Sequence, residues 1–264
     1  MKRKMILLAL SIPLFLGVER FAHAKTDGFA IVNIASPLLP NSKWDVENPQ
    51  GWEKVLQQEY SYLACGAQNY VFASADGKYV IKFFKHQHMR IPPLLKKLGA
   101  YSQAKKEKKR AVQEETFASM KIAFDLLREE TALVALHLNK SKNLPNKLCL
   151  IDKIGIKHQI NPNHFEFVVQ KRGELAFEKI EKWRLAGKKD KVENALNEMI
   201  AYSKKRIARG IFDKDPDFAT NFGIIDGKIV QIDIGRFSMQ KEEDSNELYR
   251  ITRPLEKKYG KIDL

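Results

Sequence analysis

Two pairs of short apolar runs, each pair broken by an Asp-Gly turn, punctuate the chain. Tyr70-Val71-Phe72 and Tyr79-Val80-Ile81-Lys82-Phe83-Phe84 flank Ala75-Asp76-Gly77-Lys78, and the runs Phe222 to Ile225 and Ile229 to Ile232 flank Asp226-Gly227. Runs rich in β-branched and aromatic residues around such turns predict two β-hairpins. Between them Val112, Met120, Phe124, Leu127, Leu133 and Leu136 recur broadly at helical spacing, which predicts a long helix from Ala104 to about Leu138. Leu148 to Ile151 and Phe165 to Val169 read as strands. Helical patterns follow around Leu175–Ala186 and Val192–Ala208, and a polar helical tail covers 240–264. Upstream, Phe29 to Ile34 reads as a small strand or extended arm and Trp52 to Tyr60 as helix. No internal repeat is visible. About five antiparallel strands with one helix, followed by a helical part, predict an α+β protein of two lobes, divided near Gln170 to Gly173.

The N-terminus changes this picture. Lys2, Arg3 and Lys4 precede an apolar run of 14 residues, Met5 to Val18, and Ala22-His23-Ala24 follows with small residues at cleavage spacing. This predicts a secretory signal peptide over residues 1–24 and an exported chain, periplasmic or secreted. The run is too short to span a bilayer comfortably; a buried N-terminal helix is the alternative. The formal net charge of +14 would fall to +11 without those residues. Much of the excess lies in Lys96, Lys97, Lys105, Lys106, Lys108, Lys109 and Arg110, and from Lys182 to Lys191. Such runs attract phosphates, nucleic acid or anionic lipid, although a solvated helix face is the commoner explanation. Only Tyr101 and Trp183 lie near them as stacking surfaces, so nucleic acid is not expected, while contact with a membrane surface stays open.

Two cysteines, Cys65 and Cys149, are too few for a disulfide scaffold and leave a single bond open. No zinc-type cluster and no G-x-S-x-G elbow is present. The pointed chemistry lies in Asp215, Asn221 and Asp233. The arms of the second hairpin are antiparallel and nearly equal, so they should set Asn221 and Asp233 at one end of a ribbon. Oxygen ligands there suit a hard divalent cation that also holds phosphates. An ordinary surface hairpin with Asp and Asn satisfying strand ends is the rival reading.

Taken in order, these segments resemble the protein-kinase-like superfamily of eukaryotic-type protein kinases and aminoglycoside and related small-molecule kinases. Gly210-Ile211-Phe212-Asp213-Lys214-Asp215 resembles G-I-V-H-R-D, and Ile232-Asp233-Ile234-Gly235 resembles the D-F-G segment. Val80-Ile81-Lys82 resembles V-A-I-K, and Ala64 to Val71 aligns with G-x-G-x-x-G-x-V with only Gly66 kept as glycine. The resemblance covers roughly Ser61 to Phe237. It implies an α+β, two-lobed protein-kinase-like fold with a minimal C-terminal lobe. Residues 25–60 would be an N-terminal extension, 61–172 an N-lobe-like sheet with its helix, and 173–264 a reduced helical C-lobe.

The same resemblance implies ATP and Mg²⁺ as cofactors. Asp215 would accept the acceptor's proton, Asn221 and Asp233 would bind metal, and Lys82 would hold the α- and β-phosphates. Gly66, Asn69 and Val71 would cover the nucleotide, with Asn69 able to take a left-handed backbone and Val71 over the adenine. Gln170-Lys171-Arg172 would form the hinge. Glu129, or else Glu130, would pair with Lys82. The chain departs from the pattern in two ways: Asp215 to Asn221 is six residues where the family has five, which makes Asp213 and Asp217 rival bases, and only 29 residues follow Gly235. A small-molecule or protein acceptor, rather than an ordinary peptide, fits that length. A pseudokinase, or an exported binding module using the fold as scaffold, is the alternative function.

Overall fold

The computed structural model describes residues 15–89, 99–239 and 247–260. Its centre is a seven-stranded sheet built from β1 (Glu59–Cys65), β2 (Asn69–Ser74), β3 (Tyr79–Phe84), β4 (Leu133–His137), β5 (Leu148–Ile151), β6 (Lys157–Ile160) and β7 (Phe167–Lys171), in the order β4-β7-β3-β2-β1-β5-β6. The first predicted hairpin is β2–β3, in register from Asn69↔Phe84 to Ala73↔Val80. Helix α1 (Gly99–Leu126) lies between β3 and β4 in the chain and packs on one face of the sheet.

Strand alternation sorts the side chains. Ile81 and Phe83 join Tyr60, Tyr70, Phe72 and Phe167 in one apolar cluster, which Phe29 and Ile34 of the N-terminal segment cover. Phe84 points the other way and joins Phe117, Met120 and Phe124 of α1. Burying each such ring stabilises the fold by roughly 1.5–3 kcal/mol. Lys82 has the same parity as Phe84, so the helix-bearing face carries the lysine. That second cluster also contains Ile211, Ile234 and Phe237, which ties the segments carrying the functional motifs to the sheet and helix.

After β7 the chain passes Gly173 into β8 (Glu174–Leu175), which pairs with the second predicted hairpin, β10 (Phe222–Ile225) and β11 (Lys228–Gln231). Helices α2 (Ala176–Leu185), α3 (Lys189–Ala208) and α4 (Glu247–Tyr259) form a third cluster through Ile180, Leu196, Met199, Ile200, Ile251 and Leu255. Strands β9 (Phe212–Asp213) and β12 (Phe237–Ser238) pair between the motif segments. The protein is therefore α+β, with a large sheet and its long helix followed by a small helical part.

Several boundaries differ from expectation. The long helix ends at Leu126, and a turn that closes on Ala132 with a left-handed backbone (φ 52°) leads into β4, Leu133 to His137, against β7. Trp52–Leu56 is a short 3-10 turn, and Tyr60 already belongs to β1. Ile31–Ile34 is one helical turn rather than a strand; the Asn33 side chain donates to the Gly28 carbonyl at 2.8 Å and folds the segment on itself. The sheet gains a polar edge strand, β6, and β1 pairs with β5 in parallel. Cys65 and Cys149 are both free. Cys149 stands opposite Glu59, six residues along β1 from Cys65, a span of roughly 20 Å that no disulfide bridges. Of the predicted signal peptide, residues 1–14 lie outside the described residues and 15–26 are helical. Among the described residues no helix is long and apolar enough to cross a membrane.

Candidate functional site

The β10–β11 turn places both central residues at positive φ, Asp226 at 50° and Gly227 at 81°, the conformation that matches strand twist in a two-residue hairpin. The register Phe222↔Gln231 then fixes what flanks the ribbon. The Asn221 carbonyl accepts from the Ile232 amide at 2.7 Å and from the Asp233 amide at 3.2 Å, so Asn221 and Asp233 stand side by side at the open end. Asn221 is buried; its Nδ2 donates to the Asp215 carbonyl at 3.1 Å, and its Oδ1 accepts from Thr220 Oγ1 at 3.1 Å. The six-residue interval is absorbed by a single helical turn, Phe218–Asn221. Asp217 caps that turn, accepting from the Ala219 amide at 2.8 Å and from Thr220 Oγ1 at 2.9 Å.

The three aspartates of this loop are thereby distinguished. Asp213 is buried, accepts from the Asp215 amide at 3.0 Å and from Gln231 Nε2 at 2.9 Å, and burial raises its pKa above the usual carboxylate value. The Asp217 carboxylate is engaged in its cap. Asp215 is exposed, with Arg236 Nε 3.8 Å from its carboxylate. All three line one cavity, Asp215 and Asp217 as exposed groups and Asp213 as a buried one.

Lys82 reaches the same end of the ribbon from the sheet. Its Nζ donates to the Ile232 carbonyl at 2.6 Å, one residue before Asp233. Burial lowers its pKa, and the Asp233 carboxylate opposes that shift. The loop between β1 and β2 closes over this region. Gly66, Ala67, Gln68 and Asn69 line a cavity of about 190 Å³ whose other wall carries Asp215, Asn221, Asp233 and Arg236. Asn69 is an ordinary extended strand residue rather than left-handed, and its buried Oδ1 has no hydrogen-bond partner.

Other expected site residues lie elsewhere. Val71 sits on β2 opposite Lys82, half-buried, outside the 190 Å³ cavity. Gln170 is buried within β7, where its Nε2 donates to the Thr131 carbonyl at 2.6 Å. Glu129 falls in the turn beyond α1, exposed, on a separate cleft with Arg128, Lys171 and Lys205. Glu130 pairs with Arg209 at 3.3 Å and Lys205 at 3.6 Å. The structure brings neither glutamate to Lys82, because the helix that should carry them stops at Leu126.

Other residues take part without having been expected. Thr116 Oγ1 of α1 donates to Gln68 Oε1 at 3.2 Å, and Ser119 of α1 bonds the Ile234 carbonyl and the Phe237 amide. A buried Arg206–Glu247 ion pair sits beneath Asp213, whose amide donates to Glu247 Oε2 at 3.1 Å. The visible sequence signal was the pair Thr116 and Ser119, two hydroxyls on an otherwise apolar helix face.

Among the described residues no three His, Cys, Asp or Glu side chains gather as a self-sufficient metal cluster. The available oxygens are the Asp233 carboxylate and the Asn221 amide. A pair of that kind fits Mg²⁺, which keeps waters and takes phosphate oxygens as its remaining ligands. The Lys82 ammonium, held on the Ile232 carbonyl, is the cationic group at the same end of the ribbon.

The order of elements defines an α+β protein in which a large sheet with its long helix precedes a small helical part and the second hairpin. No protein-family profile matches the chain, and no curated protein matches it. Among solved structures it is similar to the bifunctional kinase-methyltransferase WbdD, at 15% identity and a TM-score of 0.39, over 70% of this chain and 33% of that one. A further crystal structure of WbdD gives 14% and 0.40, over 70% and 34%. The complex of Rv3197 with erythromycin from Mycobacterium tuberculosis gives 12% and 0.37, over 90% and 68%. The chain thus spans about a third of WbdD.

Proposed function

We propose that this cleft binds ATP with Mg²⁺ and serves a phosphotransferase acting on a small-molecule or protein acceptor. The observation that carries the reading is that Asn221, Asp233 and Asp215 line one cavity beneath the Gly66–Asn69 loop, with the Lys82 ammonium on the carbonyl next to Asp233. Bound ATP and its cation would supply the phosphoryl group and the charge neutralisation that phosphoryl transfer requires. Asn221 and Asp233 would hold the cation. Lys82 would exchange the Ile232 carbonyl for phosphate oxygens, and the backbone of Gly66 and Ala67 would cover them. Asp215, exposed and aligned by Asn221, would orient the acceptor hydroxyl and take its proton. The basic leader and apolar run at the N-terminus support an exported setting, where ATP would have to be met in a second compartment such as a host cell.

A scaffold reading is favoured by one observation: no glutamate of α1 holds Lys82, whose ammonium is instead spent on a backbone carbonyl. Thermal unfolding with and without Mg²⁺ and ATP tests binding. A rise in Tm that needs both, and that Asp233→Ala removes, supports the cleft; no rise in wild-type protein would overturn it. Phosphate release from ATP that Asp215→Asn abolishes separates the enzyme from the scaffold.

A further inference from the structure

We propose that Ser119 is a positioning residue that couples helix α1 to the metal-holding loop, in the place of a helix carboxylate on Lys82. The inference rests on the Mg²⁺–nucleotide reading of the cleft. A serine or threonine inside a helix ordinarily turns its hydroxyl back to the carbonyl four residues earlier. Thr116 does so, donating to Val112 O at 2.9 Å, and Ser203 of α3 does so, donating to Met199 O at 3.0 Å. Ser119 does not. Its hydroxyl leaves the helix, donates to the Ile234 carbonyl and accepts from the Phe237 amide at 2.7 Å.

One hydroxyl thus spans Gly235-Arg236, using its donor and an acceptor lone pair at once. Ser119 is fully buried. The two groups it holds belong to the turn that follows Asp233, and that turn lines the cleft through Gly235 and Arg236. The same helix face reaches the roof of the cleft one turn earlier. Thr116 shares its hydroxyl proton between Val112 O and Gln68 Oε1, 3.2 Å away, and Gln68 Oε1 lies against Gly235, where an added Cβ would meet it at 3.1 Å. Roof and metal loop are therefore both fixed to α1 through hydroxyls.

Among the described residues no carboxylate of this helix pairs with Lys82. Glu114 pairs with Arg110 at 3.2 Å and Glu115 with Lys214 at 2.7 Å. Asp233 is left as the charge that acts on Lys82. A displacement of α1 would accordingly be felt at Asp233 through Ser119, not at Lys82 through a glutamate.

The test uses full-length protein, wild type and Ser119→Ala, with Ser119→Cys as a variant that keeps the shape but weakens the donor. Amide exchange is followed without nucleotide, and ATP binding is titrated at several Mg²⁺ concentrations. In Ser119→Ala the Phe237 amide should exchange at least about tenfold faster. The Mg²⁺ midpoint for ATP binding should rise about tenfold, and ATP affinity without Mg²⁺ should stay unchanged. Ser119→Cys should fall between. A merely structural role would lower Tm and weaken binding equally with and without Mg²⁺. Unchanged Phe237 exchange, or an unchanged Mg²⁺ midpoint in a wild type that binds, overturns the positioning role alone. A wild type that binds no nucleotide in either condition overturns the cleft reading and the positioning role together.

Discussion

Gly66 stands at the roof of the cleft, yet its backbone does not require glycine. Its φ is not left-handed, and a Cβ there would meet only the Asn69 carbonyl, at 3.8 Å. If its smallness serves the close approach of phosphates, Gly66→Ala should leave unfolding free energy within about 0.5 kcal/mol of wild type. The same variant should bind Mg²⁺–ATP several-fold more weakly, as calorimetry would show. His137 makes a different prediction. It is buried, with Nδ1 2.7 Å from the Phe165 carbonyl and Nε2 2.9 Å from Ser141 Oγ. Burial depresses its pKa, against smaller opposing effects of the Phe165 carbonyl and Glu166. The folded protein therefore binds fewer protons than the unfolded chain between that depressed value and the ordinary one of about 6.5. Its contribution to stability is complete above about pH 6.5 and is lost as pH falls through the window, with a slope of at most about 1.4 kcal/mol per pH unit. Denaturant unfolding from pH 5 to 7.5 should show His137→Gln with a flatter profile than wild type.

The β10–β11 hairpin is the element on which the cleft depends, and Gly223 sets how closely it meets its neighbours. A Cβ at Gly223 would lie 2.9 Å from the Ile232 side chain at Cγ2 and 3.4 Å from the Glu174 backbone carbonyl of β8. Gly223→Ala should destabilise by about 1–3 kcal/mol in urea unfolding. This hairpin was legible in the sequence because Asp226-Gly227 encodes its turn locally, and near-equal arms then place Asn221 beside Asp233. The β2–β3 hairpin was legible for the same reason. The end of α1 was not. Leu133 and Leu136 prolong the apolar spacing, and the turn that separates them from the helix passes through Ala132 at a positive φ, which no glycine announces. That one misplaced boundary is why Glu129 looked like a partner for Lys82. The edge strand β6 carries Lys157, His158 and Gln159 and has no apolar alternation to reveal it. Its parallel neighbour pairing, β1 with β5, joins residues about 90 positions apart. Ser119 and Thr116 were visible as residues but not as contacts, because their partners lie far along the chain.

The whole molecule hangs its motif segments on two supports, the apolar cluster shared by Phe117, Ile211, Ile234 and Phe237, and the buried Arg206–Glu247 pair. Arg206 also donates to the Ile211 carbonyl at 2.8 Å, so it holds the strand that leads into Asp213 and Asp215. Arg206→Met would leave the Glu247 carboxylate buried without its cation, and should destabilise by about 3–5 kcal/mol in chemical denaturation. A loss below about 1 kcal/mol would show that the pair is not a support of the fold. Above these supports, the proposed function places Lys82 at the phosphate end of a nucleotide cleft rather than in a structural tie to Ile232. An acyl-phosphate derivative of ATP, which acylates the lysine nearest the bound phosphates, tests this directly when the labelled peptides are mapped by mass spectrometry. Lys82 should be labelled in the presence of Mg²⁺ and protected by excess ATP. Labelling confined to surface lysines, or labelling of Lys82 that ATP does not diminish, would contradict that placement.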